Sequence, residues 1–177
     1  MILIRINEKV SRMVILFDWF IIYSFLGWLY ETIFCSIEQG RYNERGFLYG
    51  PVCPIYGVCI VLAILLFSDR VKNNLVLFLT CAFLASSVEY IVSFAMENIF
   101  GRRWWDYSNQ LFNLNGRICL GAAIVFGLIG IVIIRYLHPK LMRFMYVNLN
   151  EELLKKASKI LFTIFLFDLF VSIKMSL

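Results

Sequence analysis

Three glutamates lie within, or at the edge of, long apolar stretches of this 177-residue sequence: Glu31, Glu89 and Glu97. A charged side chain at bilayer depth costs roughly 2.5–3.5 kcal/mol on insertion scales, so such a carboxyl should face other helices and be paired or protonated. Carboxyls in this position serve substrate and proton pathways. They also form ion pairs that lock helices together, and the residue types leave both interpretations open.

The polar residues around Glu89 recur at helical spacing: Ser86, Glu89, Ser93 and Glu97. Steps of three and four place them on one side of a helix, which predicts an inward-facing polar stripe. An earlier stretch has the same spacing in Ser24, Gly27 and Glu31. There Gly27 would let another helix approach closely, and Glu31 would point into the same seam or reach water. Asp18 on that stretch is interpreted as an interfacial residue.

The segment between two of the apolar stretches is dense in aromatic and charged residues: Arg102, Arg103, Trp104, Trp105, Asp106, Tyr107, Asn113, Asn115 and Arg117. Tryptophan and tyrosine are typical of the aromatic belt at a membrane edge, but a belt does not account for the charges. Arginine offers bidentate contacts to carboxylate or phosphate, which predicts either an anion or lipid-headgroup site or neutralisation of the glutamates.

A second motif, RGFLYGPVCPIYG, begins at Arg45 and leads into an apolar stretch. Pro51 suits the first turn of a helix, while Pro54 one turn later predicts a distorted or discontinuous helix start. Such a start can attract anionic groups inside a membrane protein. A tight return of the chain into the bilayer needs the same residues, so both interpretations stay open.

The composition places these residues in a membrane protein. Apolar residues make up 61% of the chain, against roughly 45–50% in soluble domains, and the mean hydropathy is +0.78. Five apolar stretches predict an all-α bundle of about five transmembrane helices in one domain, residues 1–177. The predicted spans are residues 13–34, 51–68, 75–100, 118–137 and 158–174, the last starting from a helix capped by Asn150.

The distribution of lysine and arginine predicts the orientation. With five spans, eleven of these residues fall on one side and six on the other, so the N-terminus is expected in the cytoplasm. The loops at residues 36–50 and 101–116 then share the outer face. The net charge of +5 is expected to set topology and contact anionic lipid headgroups, not nucleic acid. We expect no cleaved signal peptide.

The five cysteines show no zinc-binding spacing, so we expect no metal site. Most are predicted to be small apolar residues within spans. Cys35 and Cys53 would lie near the outer face, where they could pair in an oxidising compartment.

Four blocks carry a family resemblance: YSFLGWLYE, RGFLYGPVCPIYG, WWDYSN and NLNGRICL. In this order and spacing, over residues 15–139, they resemble small bacterial membrane proteins, the ABC-transporter type IV permeases of the CmpB type. The resemblance implies a multi-pass protein of the bacterial cell membrane. Because the chain has no Walker A pattern, it also implies that any ATPase is a separate subunit. The motif positions carried over are Glu31, Arg45, Gly46, Gly50, Pro51, Cys53, Pro54, Tyr56, Gly57, Glu89, Trp105, Asp106, Tyr107, Ser108, Asn115, Gly116 and Arg117.

We therefore predict a transporter-like protein with a polar cavity open to the extracytoplasmic side, with membrane lipids, a separate ATPase subunit or a homo-oligomer as partners and no cofactor. The candidate binding residues are Glu31, Glu89, Glu97, Arg102, Arg103, Trp105, Asp106, Tyr107, Asn115 and Arg117. The motif positions with a structural role are Arg45, Gly46, Gly50, Pro51, Cys53, Pro54, Tyr56, Gly57 and Gly116. A membrane-embedded enzyme or binding protein for a lipid headgroup, and a non-catalytic subunit of a larger complex, are the alternatives. No catalytic residue is assigned.

Overall fold

The structure, a computed structural model, describes residues 11–43, 45–148 and 150–177. Arg5 and Lys9, which contribute to the predicted orientation, lie outside these residues. Within them the helices are Arg12–Gln39 (α1), Pro54–Phe67 (α2), Asn74–Phe100 (α3), Leu120–Val132 (α4), His138–Asn148 (α5) and Glu151–Ser176 (α6). A π-helical segment, Ile133–Leu137, joins α4 to α5. The described residues form no β-strand beyond an isolated bridge between Leu114 and Ile118, which confirms the predicted all-α class for this part of the chain.

Three helices of the described chain are long and apolar enough to cross a membrane: α1, α3 and the continuous run Leu120–Met145. Each overlaps a predicted span. Helix α2 has 14 residues, or about 21 Å, against a hydrocarbon core of about 30 Å. Helix α6 has 26 residues but carries Asp168 and Lys174 and is not among the three.

The helix ends follow local sequence signals. Asn150 caps α6, its side chain accepting a hydrogen bond from the Glu152 amide at 2.8 Å, as the sequence predicted. Asn73 caps α3 in the same way. Helices α1 and α3 both end at a glycine in the left-handed conformation, Gly40 and Gly101.

Most of the surface of α3 is apolar and uncovered by the rest of the chain. Only 17% of its most hydrophobic 18-residue window is buried, and Phe83, Ile91 and Phe94 are more than half exposed. A continuous apolar surface of this size requires lipid or another protein around it. Two residues of the polar stripe, Glu89 and Ser93, are among the four buried residues of this helix.

The contacts divide the described chain into two units. The first unit consists of the described residues of Met1–Val61 together with Phe144–Leu177, and the second is Leu62–Arg143. Each is described by itself below.

In the first unit, α1 and α2 approach closely through two glycines. Gly27 lies against the ring of Tyr56, and Gly57 lies against the Phe20 carbonyl oxygen and the Ser24 side chain. A side chain at either position would occupy space that the neighbouring helix fills. These glycines therefore fix how near the two helices come.

Helix α6 packs on α1 through aromatic rings and one polar contact. Phe17 meets Phe162 edge-on, with ring centroids 5.2 Å apart, and Phe20 meets Phe165 at 5.3 Å. Between these rings the Ser158 hydroxyl donates to the Asp18 carboxylate. Asp18 is only 6% exposed, so its carboxylate lies in the contact between the two helices.

In the second unit, α3 and α4 pack through the small residues of α4. Gly127 lies against the Phe78 ring and Gly130 against the Cys81 side chain. These glycines are thus covered by α3 of the same chain. At the start of α3, the Arg135 guanidinium donates to the Val71 carbonyl at 2.7 Å and to the Lys72 carbonyl at 3.0 Å.

Gly57→Ala should destabilise the protein by about 1–3 kcal/mol, because its Cβ would lie 2.5 Å from the Phe20 carbonyl oxygen. The matched control is Gly121→Ala in α4, where an added Cβ meets nothing within 4 Å and should cause no loss. Thermal unfolding midpoints in detergent give the comparison. Equal midpoints for the two variants would contradict the glycine contact between α1 and α2.

Candidate functional site

All candidate binding residues except Glu31 belong to the second unit. They lie on α3 and on the loop that connects α3 to α4, residues 101–119. The sequence left open whether this loop forms an aromatic belt at the membrane edge or part of a binding site. In the structure it folds back along α3, and its side chains contact the polar stripe over about two helical turns, from Glu97 to Glu89.

The contacts between the loop and α3 follow the helix from its C-terminal end toward its middle. Arg103 reaches Glu97, Arg117 reaches Glu97 and Ser93, Asn115 reaches Tyr90 and Tyr107 reaches Glu89. Eight residues of α3 separate the first contact from the last, a rise of about 12 Å. The loop therefore carries polar side chains well below the end of the helix.

The Glu97 carboxylate bridges two arginines at the top of this series. Its Oε1 accepts from Arg103 Nε at 2.9 Å, and its Oε2 accepts from Arg117 Nη2. The hydrogen bond with Glu97 raises the pKa of Arg103 above its ordinary value. Since each carboxylate oxygen has its own guanidinium partner, Glu97 holds both ends of the loop to α3.

Arg117 is the more enclosed of the two arginines, with its side chain only 9% exposed. It also donates to the Ser93 hydroxyl at 3.1 Å. The rings of Tyr90 and Phe94 lie 5.8 and 5.4 Å from its guanidinium carbon, within the range of a cation–π contact. One face of α3 thus provides a charge partner, a hydroxyl and two rings for this single side chain.

Glu89 lies at the lower end of the series and is 6% exposed. Its Oε1 accepts a hydrogen bond of 2.9 Å from the Tyr107 hydroxyl. The carboxyl is therefore reached by a loop side chain although it lies about 16 Å from the end of α3. Glu89 and Tyr107 form the deepest polar pair between this loop and the helix.

Hydrogen bonds also connect residues within the loop. The Tyr107 amide donates to the Gly116 carbonyl at 2.7 Å, Arg103 donates to the Asn115 carbonyl at 3.1 Å, and the Trp105 indole donates to the Arg117 carbonyl at 3.0 Å. Gly116 has φ +68° and faces Asp106 and Ser108 so closely that a Cβ would displace them. Trp105 and Gly116 thus hold the loop's two arms together.

Asp106 stabilises the turn that follows it in the loop. The Ser108 hydroxyl and the Ser108 amide both donate to its carboxylate, and these bonds lower its pKa below the ordinary value. Asn113 closes the same turn by donating to the Ser108 and Gln110 carbonyls. Asp106 therefore has a structural role that the sequence did not indicate.

Arg102 differs from its neighbour Arg103. It is exposed, and its guanidinium lies 4.6 Å from the centroid of the Trp104 ring. This contact places one positive charge on the outside of the loop.

Glu31 lies in the first unit and pairs there with Arg45, whose Nε donates to Glu31 Oε1 at 3.1 Å. The Cys53 thiol donates to the other oxygen at 3.8 Å. Two residues of the motif from Arg45 to Gly57 therefore meet Glu31 of α1. Cys35 and Cys53 are both thiols in the structure, not a disulfide.

A cavity of about 350 Å³ lies in the second unit. Its lining is Ser86, Phe112, Ile118, Cys119, Leu120 and Ala123. The candidate binding residues do not contribute to it. The described residues contain no cluster of three or more potential metal ligands.

Tyr90 was missed from the sequence although it contacts both Asn115 and Arg117. It stands at helical spacing with Ser93, Phe94 and Glu97, so the signal was present. The predicted polar stripe, which includes Ser86 and Glu89, lies on the adjacent face of the helix and does not include Tyr90.

Apolar helices that need lipid cover, together with a loop whose charges pair inside the chain, define a helical integral membrane protein. The family model described as "Putative ABC-transporter type IV" matches residues 18–173, and the chain belongs to this family. The suspected family is thereby confirmed. No curated protein and no solved structure gives a significant match.

Replacing Arg117 with methionine should lower the unfolding midpoint by roughly 2–4 °C or more, since the ion pair and the Ser93 hydrogen bond are both lost. Arg102→Met is the matched control, because that guanidinium is exposed, and it should shift the midpoint by less than about 1 °C. Thermal unfolding in detergent gives both values. A larger shift for Arg102→Met would contradict the assignment of Arg117 as the main charge contact between loop and helix.

The loop turn should be weakened by acid through Asp106. A carboxyl whose pKa is lowered by folding contributes stability above its unfolded-state pKa of about 4, and this contribution is lost as the pH falls through the lower folded-state pKa. Hydrogen exchange of the Ser108 amide, corrected for intrinsic rates, should therefore accelerate below about pH 4. In Asp106→Asn this dependence should disappear; if it persists, another group is responsible.

Proposed function

We propose that this protein is a transporter-type permease of the bacterial plasma membrane, with five spans, a cytoplasmic N-terminus and a polar cavity open to the extracytoplasmic side. Membership of the ABC-transporter-type family and the apolar helices support a membrane transport role. The observation that carries the proposal is the hydrogen bond between Glu89 and Tyr107. It links an acid deep in a membrane helix to the loop that connects α3 to α4.

In this proposal Glu89, not Glu97, is the exchanging group. Both oxygens of Glu97 have an arginine partner, which keeps that carboxylate ionised and fixed. Glu89 accepts from a neutral hydroxyl, which can bond to the ionised or the protonated carboxyl. A proton or a small cation can therefore be taken up at Glu89 while the side chain of Tyr107 stays beside it.

The loop then serves as a cover whose position depends on Glu97. The two arginines bonded to this carboxylate hold the loop down on α3, and Tyr107 closes over Glu89. Opening of the cover would release Tyr107 and give Glu89 access to the extracytoplasmic side. The exposed Arg102 would attract anions toward the same entrance.

We further propose that the chain acts together with a partner, either a separate ATPase subunit or a second copy of this chain. The family supports an ATPase partner. The sequence of this chain contains no Walker A pattern. An ATPase would thus act from outside the helices described above.

The proposal is tested by proton flux. The purified chain is reconstituted into vesicles of phosphatidylethanolamine and phosphatidylglycerol that enclose a pH-sensitive dye, and a potassium diffusion potential is imposed. Glu89→Gln should reduce the flux at least about tenfold, because the amide cannot take up a proton. Tyr107→Phe should change the rate and its pH dependence while leaving a residual flux.

Glu38→Gln is the control, since Glu38 is an exposed carboxyl near the end of α1. It should leave the flux unchanged. Wild-type flux no greater than that of empty vesicles, or an unchanged flux in Glu89→Gln, would contradict the role given to Glu89. The polar cluster would then serve only to lock the loop onto α3, as in the subunit alternative.

A further inference from the structure

The turn between α1 and α2 must satisfy its backbone amides without helical hydrogen bonds. Near the start of α2 the Val52 amide donates to the Gly50 carbonyl at 2.7 Å, and the Cys53 amide donates to the Ser24 carbonyl at 3.0 Å. Irregular backbone in a membrane protein is tolerated only where such partners exist. The two preceding amides, of Tyr49 and Gly50, find theirs on α6.

Asp168 of α6 accepts both of these amides, one on each carboxylate oxygen. Tyr49 N lies 3.1 Å from Oδ1, and Gly50 N lies 2.9 Å from Oδ2. The Ser172 hydroxyl donates to Oδ1 at 3.2 Å and lies 3.3 Å from Tyr49 N. Three donors therefore surround one carboxylate, which is supplied by a helix more than 100 residues away.

The residues around the Asp168 carboxylate leave space for it beside the turn. A Cβ at Gly50 would lie 2.8 Å from Oδ2, so only glycine lets the carboxylate approach the backbone this closely. Ser172 is 1% exposed, which fixes its hydroxyl beside the pair of amides. Tyr49 is 65% exposed, so the turn itself can be reached from outside.

We propose that the Tyr49–Gly50 turn is a carboxylate-binding site and that Asp168 is its resident ligand. Two adjacent amides that meet the two oxygens of one carboxylate form a receptor for that group, because each bond is charge-assisted. A free carboxylate of small size can occupy the same position when Asp168 is removed. The inference concerns the first unit and does not depend on the role proposed for Glu89.

The thiol of Cys53 reports on the turn, since it is 3% exposed and lies three residues after Gly50. Full-length protein in vesicles is treated with N-ethylmaleimide, and labelling of the Cys53 peptide is followed by mass spectrometry. Asp168→Ala should accelerate this labelling by roughly tenfold or more, because the turn loses its acceptor. Sodium formate should restore protection with a saturable concentration dependence, and sodium chloride at equal ionic strength should not.

Gly50→Ala gives a second route to the same state, because it displaces the carboxylate while Asp168 remains. It should accelerate Cys53 labelling too, but without rescue by formate, since the added methyl fills the position. Glu152→Ala on α6, an exposed acid, should label like the wild type. Equal labelling of wild type and both turn variants, or protection of Asp168→Ala by chloride as well as by formate, would overturn the proposal.

Discussion

Two arginines of one loop donate to a single carboxylate on α3, and this arrangement determines how the rest of the second unit is built. A glutamate on an apolar helix is costly unless its charge is balanced nearby, and an arginine has the same requirement. When Glu97 takes one guanidinium on each oxygen, both arms of the loop must lie beside the helix. Tyr107 is then carried down to Glu89, and Asn115 to Tyr90. The position of every polar group along this face of α3 follows from that shared carboxylate.

The first unit meets the same requirement with different residues. Here Arg45 pairs with Glu31. The Asp168 carboxylate accepts hydrogen bonds from the backbone amides of Tyr49 and Gly50 in the turn. In each unit a helix supplies the acid and an irregular segment supplies the donors. Carboxylates on helices thus hold the non-helical parts of the chain, because a carboxylate accepts several hydrogen bonds at once and an apolar surrounding strengthens each of them.

Apolar stretches in the sequence predicted the all-α class, and steps of three and four predicted the side of α3 that carries Glu89, Ser93 and Glu97. Composition was sufficient for the membrane setting, and the motif blocks for the family. Neutralisation of the glutamates by the loop arginines was one of the two interpretations left open. The sequence does not show which arginine meets which glutamate, because a loop can follow many paths between two helices. Trp105 was expected in an aromatic belt or in a binding site, whereas its indole donates to the Arg117 carbonyl within the loop. Asp168 and Gly50 are 118 residues apart, and no local pattern relates them.

The ion pairs of the arginines also affect how the number of basic residues relates to the charge of the folded surface. Orientation is decided while the chain inserts, when every lysine and arginine counts as a charge. Of the six assigned to the outer side, Arg45, Arg103 and Arg117 end in ion pairs within the folded chain. In the predicted orientation the surface on that side is consequently less cationic than its sequence, and attraction of anions would fall to the remaining basic residues, such as Arg102. The number of lysines and arginines used to predict orientation therefore overstates the positive potential at the folded surface.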